Sequence, residues 1–253
     1  MVILKSPEEI RKLRGNNLMV ARILEALKEI IRPGVTTLEL DRYCEELTLQ
    51  EGAKPAFKGY RGYPFSLCTS VNEEVVHGMP SERKLQEGDI ISLDFGVYHR
   101  GLYGDAALTV PVGEVSDEAV RLMRVTEEAL YRAIDKARSG NRLGDISAAV
   151  QNHVEAAGYS VVRDLVGHGI GRSLHEDPQV PNYGREGRGI ELRPGIVLAI
   201  EPMVNAGTHA VKVLQDGWTV VTADGKLSAH FEHSVAITEN EPFILSRIDE
   251  RPD

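Results

Sequence analysis

Only two cysteines, Cys44 and Cys68, occur in 253 residues, too few for a disulfide framework and not spaced as a paired-cysteine metal site. The reducing cytoplasm is the compartment such a composition suits. Long apolar runs are also missing. Stretches such as Ile196 to Ile200 fall far short of the roughly 18 to 20 residues of a membrane span. Met1 to Pro7 contains no basic stretch followed by an apolar one, so no secretory signal is expected. Positive charge is outweighed: 29 Lys and Arg face 38 Asp and Glu, a net charge of −9, which speaks against a broad basic surface collecting nucleic-acid phosphates. What remains, 42% hydrophobic and 26% charged residues, is the composition of an ordinary folded protein with a sizeable core.

Periodicity organises the chain into two halves. Ser6-Pro7-Glu8-Glu9 has the form of a capped helix start, and Ile10, Leu13, Val20, Leu24, Leu27 and Ile31 then recur at helical spacing, interrupted by Asn17, until Pro33-Gly34. A second helix is predicted from Thr36, with Glu39 closing a capping box, to Glu51-Gly52. The layout then returns: one helix from Ser116 to Ser139-Gly140, another from about Leu143 to Ala157-Gly158. Gly34 and Gly140 are 106 residues apart, as are Gly52 and Gly158. Leu85 to Asp94, laid on Leu192 to Glu201 at a shift of 107, matches at Leu, at Gly, at alternate apolar positions and at the terminal carboxylate. The expectation is an α+β fold, a single domain over 1–253 built from pseudo-two-fold duplicated αα-β halves, about 1–112 and 113–253.

The repeat predicts a shared centre. Asp94 lies in a strand of period two, and a hairpin turn centred between His99 and Arg100 would set it directly opposite Asp105, with Cβ atoms about 4.5 to 5.5 Å apart. Two carboxylates at that spacing repel unless a cation lies between them. Glu201 and Glu232 sit in apolar, strand-like sequence, and His168 in the glycine-rich Val166 to Gly171 segment. One imidazole and four carboxylates form a hard set suited to Mn(II), Fe(II), Co(II) or Zn(II). Four negative charges call for two divalent ions, which could share and acidify one water for a hydrolysis.

These residues resemble the type I methionine aminopeptidases, metallopeptidases of the pita-bread fold with a central curved antiparallel sheet. The resemblance rests on Asn72 to Pro80, on Asp94 with Asp105, on Gly167 to Pro178, on Ile200 to Met203 and on Phe231 to His233, and spans essentially the whole chain. It implies removal of the initiator methionine from nascent chains when the second residue is small. It makes Asp94, Asp105, His168, Glu201 and Glu232 the ligands of two divalent ions, with Glu201 also shuttling a proton. It sets His175 at the scissile carbonyl and His77 at the amide of the second residue. Tyr60, Tyr63, Phe65, Cys68 and Trp218 would line the methionine pocket, with Leu174 at its floor. His230, two residues before Glu232, is expected on the same strand face behind the ligands. A cytoplasmic monomer is implied, with no nucleic-acid function and with ribosome contact, if made, through the catalytic domain's own surface. Prolidase and aminopeptidase P resemble the chain in the five ligands but usually carry an added N-terminal domain, for which no room is expected before the helix beginning at Ser6. A pita-bread adaptor that has lost catalysis need not keep the full ligand set.

Overall fold

The computed structural model describes residues 2–248. Four helices carry the repeat: α1 (Pro7–Ile30), α2 (Thr37–Gln50), α3 (Asp117–Ile134) and α4 (Leu143–Ala156). Their starts follow from side-chain chemistry. The Ser6 hydroxyl accepts from the Glu9 amide at 3.2 Å while the Ser6 amide donates to the Glu9 carboxylate at 2.8 Å, and Thr36 with Glu39 repeats the exchange at 3.1 and 2.7 Å. Each such cap stabilises its helix by about 1 kcal/mol. α3 stops at Ile134, earlier than its apolar spacing predicts, and Ala137 is buried in the tight turns that follow. No helix among the described residues is long and apolar enough to cross a membrane.

The duplication extends to single hydrogen bonds. Gly34 N donates to Leu85 O at 2.8 Å and Leu85 N to Val35 O at 2.8 Å; in the second half Gly140 N donates to Leu192 O at 3.0 Å and Leu192 N to Asn141 O at 2.8 Å. Gly88 and Gly195, at φ 92° and 93°, make the same left-handed turn into a strand, a conformation glycine adopts without penalty.

A nine-stranded antiparallel sheet joins the halves. Its main path runs Lys54–Pro55, Ile90–His99, Leu102–Pro111, Glu232–Ala236, Val197–Ile200, Val166–Gly169, Glu176–Pro181; Cys68–Val71 also pairs with Ile90–His99, and Phe243–Ile244 with Glu232–Ala236. Period-two alternation assigns the faces. Leu93, Phe95 and Val97 pack against Val20, Leu24 and Leu27 of α1, while Leu198, Ile200 and Val235 pack against Leu122, Val125 and Leu130 of α3. The intervening residues, Asp94 and Ala199 among them, therefore face away from the helices.

The hairpin register differs from the sequence expectation. Asp94 pairs with Ala107, and Asp105 with Gly96, so the two aspartates are diagonal neighbours rather than directly opposed. The turn lies at Arg100-Gly101, both at positive φ (50° and 83°), the two-residue geometry whose twist matches the flanking strands and whose second position favours glycine. Gly101 therefore moves the register by two residues. A shift of two preserves the face, and both carboxylates remain on the same side.

Candidate metal centre

Register alone brings the acidic residues together. Asp94 is opposite Ala107, and Ala107 is opposite Glu232 on the strand that crosses from the other half. Asp105 lies two residues from Ala107 and shares its face. On the next strands His168 pairs with Ala199, which pairs with Ser234, two residues from Glu232; Glu201 lies two beyond Ala199. All five predicted ligands thus project from one face across the seam between the halves. Small residues leave them room: Ala107 and Ala199 stand between them, and a Cβ at Gly96 would lie 3.2 Å from Asp105 Oδ1 and 2.9 Å from the Phe57 ring.

The geometry fits a cation site. One ligating atom from each of Asp105, His168 and Glu232 lies within 4.8 Å of the other two, and all three residues are buried. Asp94 Oδ1, Asp105 Oδ1 and Glu232 Oε1 are buried without any hydrogen-bond partner, and an unpaired buried carboxylate oxygen is among the most costly groups a fold can hold. His168 Nδ1 lies 2.9 Å from the Gly169 carbonyl, which takes the ring proton there and leaves the Nε2 lone pair directed to the centre, 3.5 Å from Glu201. Burial pushes Asp94 and Glu201 up to about 7. Burial, then the neighbouring carboxylates, raise Asp105 and Glu232 well above the usual carboxylate range. His230 ends the strand Ser228–His230, in a different sheet from Glu232, because Phe231 breaks the strand between them. It reaches the centre nonetheless, with Nε2 3.4 Å from Glu201 Oε2.

A cavity of about 130 Å³ opens beside this cluster, well below the roughly 300 to 1,000 Å³ of drug-sized sites, so it has room for about one side chain. His77 and His175 border it. His77 holds φ 60°, uncommon for a non-glycine residue, and is followed by Gly78, where a Cβ would lie 2.3 Å from the Thr69 carbonyl. His175 has an edge open to solvent; its Nδ1 is 2.9 Å from the Tyr60 hydroxyl and its ring centroid 4.2 Å from that of His168. Desolvation, then the neighbouring histidines, hold both imidazoles in the neutral form, His77 down to about 4 and His175, where Arg61 adds to the effect, to about 3. Tyr60, Tyr63, Cys68 and Trp218 line the cavity, Tyr63 and Trp218 edge to face at 5.1 Å, and Leu174 is buried in the wall. Phe65 does not line it but packs edge-on behind Tyr63 at 6.2 Å. Phe57 and Arg61 are wall residues that the sequence reading missed. The nearby Tyr60, Tyr63 and Phe65 in one glycine-punctuated segment were the available signal for them.

The sequence model of metallopeptidase family M24 matches residues 11–239. The chain belongs to this family. Among M24 relatives, it is 56% identical over 248 residues, 98% of this chain and 100% of the relative, to a methionine aminopeptidase of Clostridium perfringens. It is 53% identical over 248 residues, with the same coverage, to methionine aminopeptidase 1 of Bacillus subtilis. The crystal structure of a methionine aminopeptidase from Thermotoga maritima superposes with a TM-score of 0.96 at 50% identity, covering 98% of this chain and 100% of that one. The fold is the pita-bread fold of M24, as the resemblance implies, and membership of a metallopeptidase family implies divalent metal ions, for which the Asp105, His168 and Glu232 cluster is a candidate site.

Proposed function

We propose that the protein is a metal-dependent methionine aminopeptidase that removes the initiator methionine from nascent chains and peptides when the second residue is small. It works as a cytoplasmic monomer, residues 1–253 forming one catalytic domain that contacts the ribosome transiently. The observation that carries this reading is the convergence of carboxylates from both repeats, with partnerless buried oxygens, beside a side-chain-sized cavity bordered by two neutral histidines.

Asp94, Asp105, His168, Glu201 and Glu232 would hold two divalent cations, drawn from Mn, Fe(II), Co and Zn, which would supply Lewis acidity to the scissile carbonyl and the attacking water. Glu201 would receive a proton from the attacking water and return it to the departing amine. His175 acts as a neutral donor: with the Tyr60 hydroxyl donating to Nδ1, the single ring proton resides on Nε2, available to the carbonyl oxygen as negative charge develops there. His77 contacts the amide of the second residue. Tyr60, Tyr63, Cys68, Trp218, Phe57 and Leu174 surround the methionine side chain, whose polarizable sulfur suits aromatic edges. Phe65 supports Tyr63 from behind.

The test is hydrolysis of Met-Ala-Ser by protein stripped of metal and then titrated with Mn(II) or Co(II). Activity returns with the added ion, and a substrate with leucine second is cleaved far more slowly. No gain of hydrolysis with either ion refutes the enzyme assignment.

A further inference from the structure

His175 stands on a stretch, residues 171–175, that belongs to no helix or strand, with Arg172, Ser173 and His175 itself exposed. A side chain that must meet a developing charge to within a fraction of an ångström needs something to hold that stretch. The holder is Glu176, the next residue. Its Oε1 accepts from the amides of Arg172 at 2.7 Å and Ser173 at 3.0 Å, folding the loop around the carboxylate. Its Oε2 accepts from Lys5 Nζ at 2.6 Å, and that ammonium also donates to the Ile3 carbonyl at 2.9 Å. Both side chains are nearly inaccessible, 1% exposed for Lys5 and 5% for Glu176.

The surroundings are built around this pair. Lys5 N donates to Gly195 O at 2.7 Å, anchoring the segment before α1 to the turn that leads into the strand carrying Ala199. A Cβ at Gly171 would lie 2.1 Å from Lys5 Cε, so the loop passes directly over the lysine stem. Arg172 reaches Glu9 at 2.8 Å, the carboxylate that caps α1. In the sheet Glu176 is the register partner of Gly169, whose carbonyl fixes the ring of His168. Lysine is almost never buried without a partner, and a hydrophobic residue of similar size would stabilise a buried position at least as well as an ion pair does. What the pair adds is a fixed position for the carboxylate and so for the neighbouring histidine.

We propose that Lys5 and Glu176 are positioning residues for the reaction, their buried pair holding the 171–175 loop so that His175 meets the substrate. The proposal rests on the reading of His175 as the group at the scissile carbonyl. Lys5→Met keeps the stem and removes the charge. With Met-Ala-Ser it should lower kcat by about 10- to 100-fold, the scale of a displacement near 1 Å, while KM stays within about twofold and metal content by elemental analysis is unchanged. In a His175→Ala background the same substitution should cause no further loss, because the group it positions is gone; a general loss of fold integrity would lower both backgrounds alike. Glu176→Gln, which keeps an acceptor for the Arg172 and Ser173 amides, should give the same pattern and serves where Lys5→Met does not fold. An unchanged kcat, or an equal loss in both backgrounds, overturns the positioning role. A wild-type rate in His175→Ala alone overturns the reading of His175, and the two failures are thereby told apart.

Discussion

Metal uptake by this centre should displace protons. Burial puts Asp94 and Glu201 near pKa 7 and, with the neighbouring carboxylates, holds Asp105 and Glu232 well above the usual carboxylate range, against about 4 in an unfolded chain. Between pH 4 and 7 the folded, metal-free protein therefore keeps protons that the unfolded chain has released. The penalty of these carboxyls is absent below pH 4 and fully present once the pH passes their folded values. For Asp94 alone that difference is on the order of 4 kcal/mol; the four do not add, since a proton on one relieves its neighbours. Cations remove the penalty by taking the protons' place. At pH 6 Asp94 and Glu201, near 7, are mostly protonated, so filling the centre releases about two or more protons. Apparent affinity should then fall by about 100-fold or more per pH unit below 7, about 3 kcal/mol. Titration calorimetry with Mn(II) at pH 6, repeated in buffers of different ionisation enthalpy, counts the protons directly. A count of one or fewer would mean that these carboxyls ionise without a cation, and the burial argument would be wrong.

Three further outcomes follow from individual contacts. Gly96→Ala pushes a methyl group to 2.9 Å from the Phe57 ring and 3.2 Å from Asp105 Oδ1; metal affinity should fall at least tenfold by calorimetry, and unaltered affinity would show that the wall yields freely. Tyr60→Phe removes the hydroxyl 2.9 Å from His175 Nδ1 and should reduce kcat about tenfold with metal content intact, whereas an unchanged kcat would show that the tautomer is set elsewhere. His233, held by burial at about 4, stays neutral where an unfolded histidine protonates. Its contribution is fully present above about pH 6.5 and is lost as the pH falls toward 4, by up to about 3 kcal/mol. In urea unfolding between pH 6.5 and 4.5, His233→Gln should lose stability less steeply than the wild type, by about 1 kcal/mol per pH unit; identical slopes would place the protonating group elsewhere.

Much of this was legible because the signals are local. Ser6 with Glu9 and Thr36 with Glu39 announce helix starts within four residues, and the 106-residue spacing of glycines announces the repeat. The hairpin register was misread because one glycine, Gly101, decides where the chain reverses; the face survived because the error was even. Asn17 read as an interruption of an apolar stripe. In the fold it is fully buried, donating to Leu13 O at 2.9 Å and accepting from the Asp105 amide at 3.1 Å, so the interruption is a brace for a candidate ligand. The pairing of Lys5 with Glu176 spans 171 residues, and no periodicity encodes a contact at that range.

The seam between Leu102–Pro111 and Glu232–Ala236 divides the five candidate ligands unevenly: two aspartates come from the first copy, and a histidine with two glutamates from the second. Neither copy alone holds the full candidate set. A centre completed only by both copies would tie them together, since losing either stretch would strip it of at least two of its five candidate ligands.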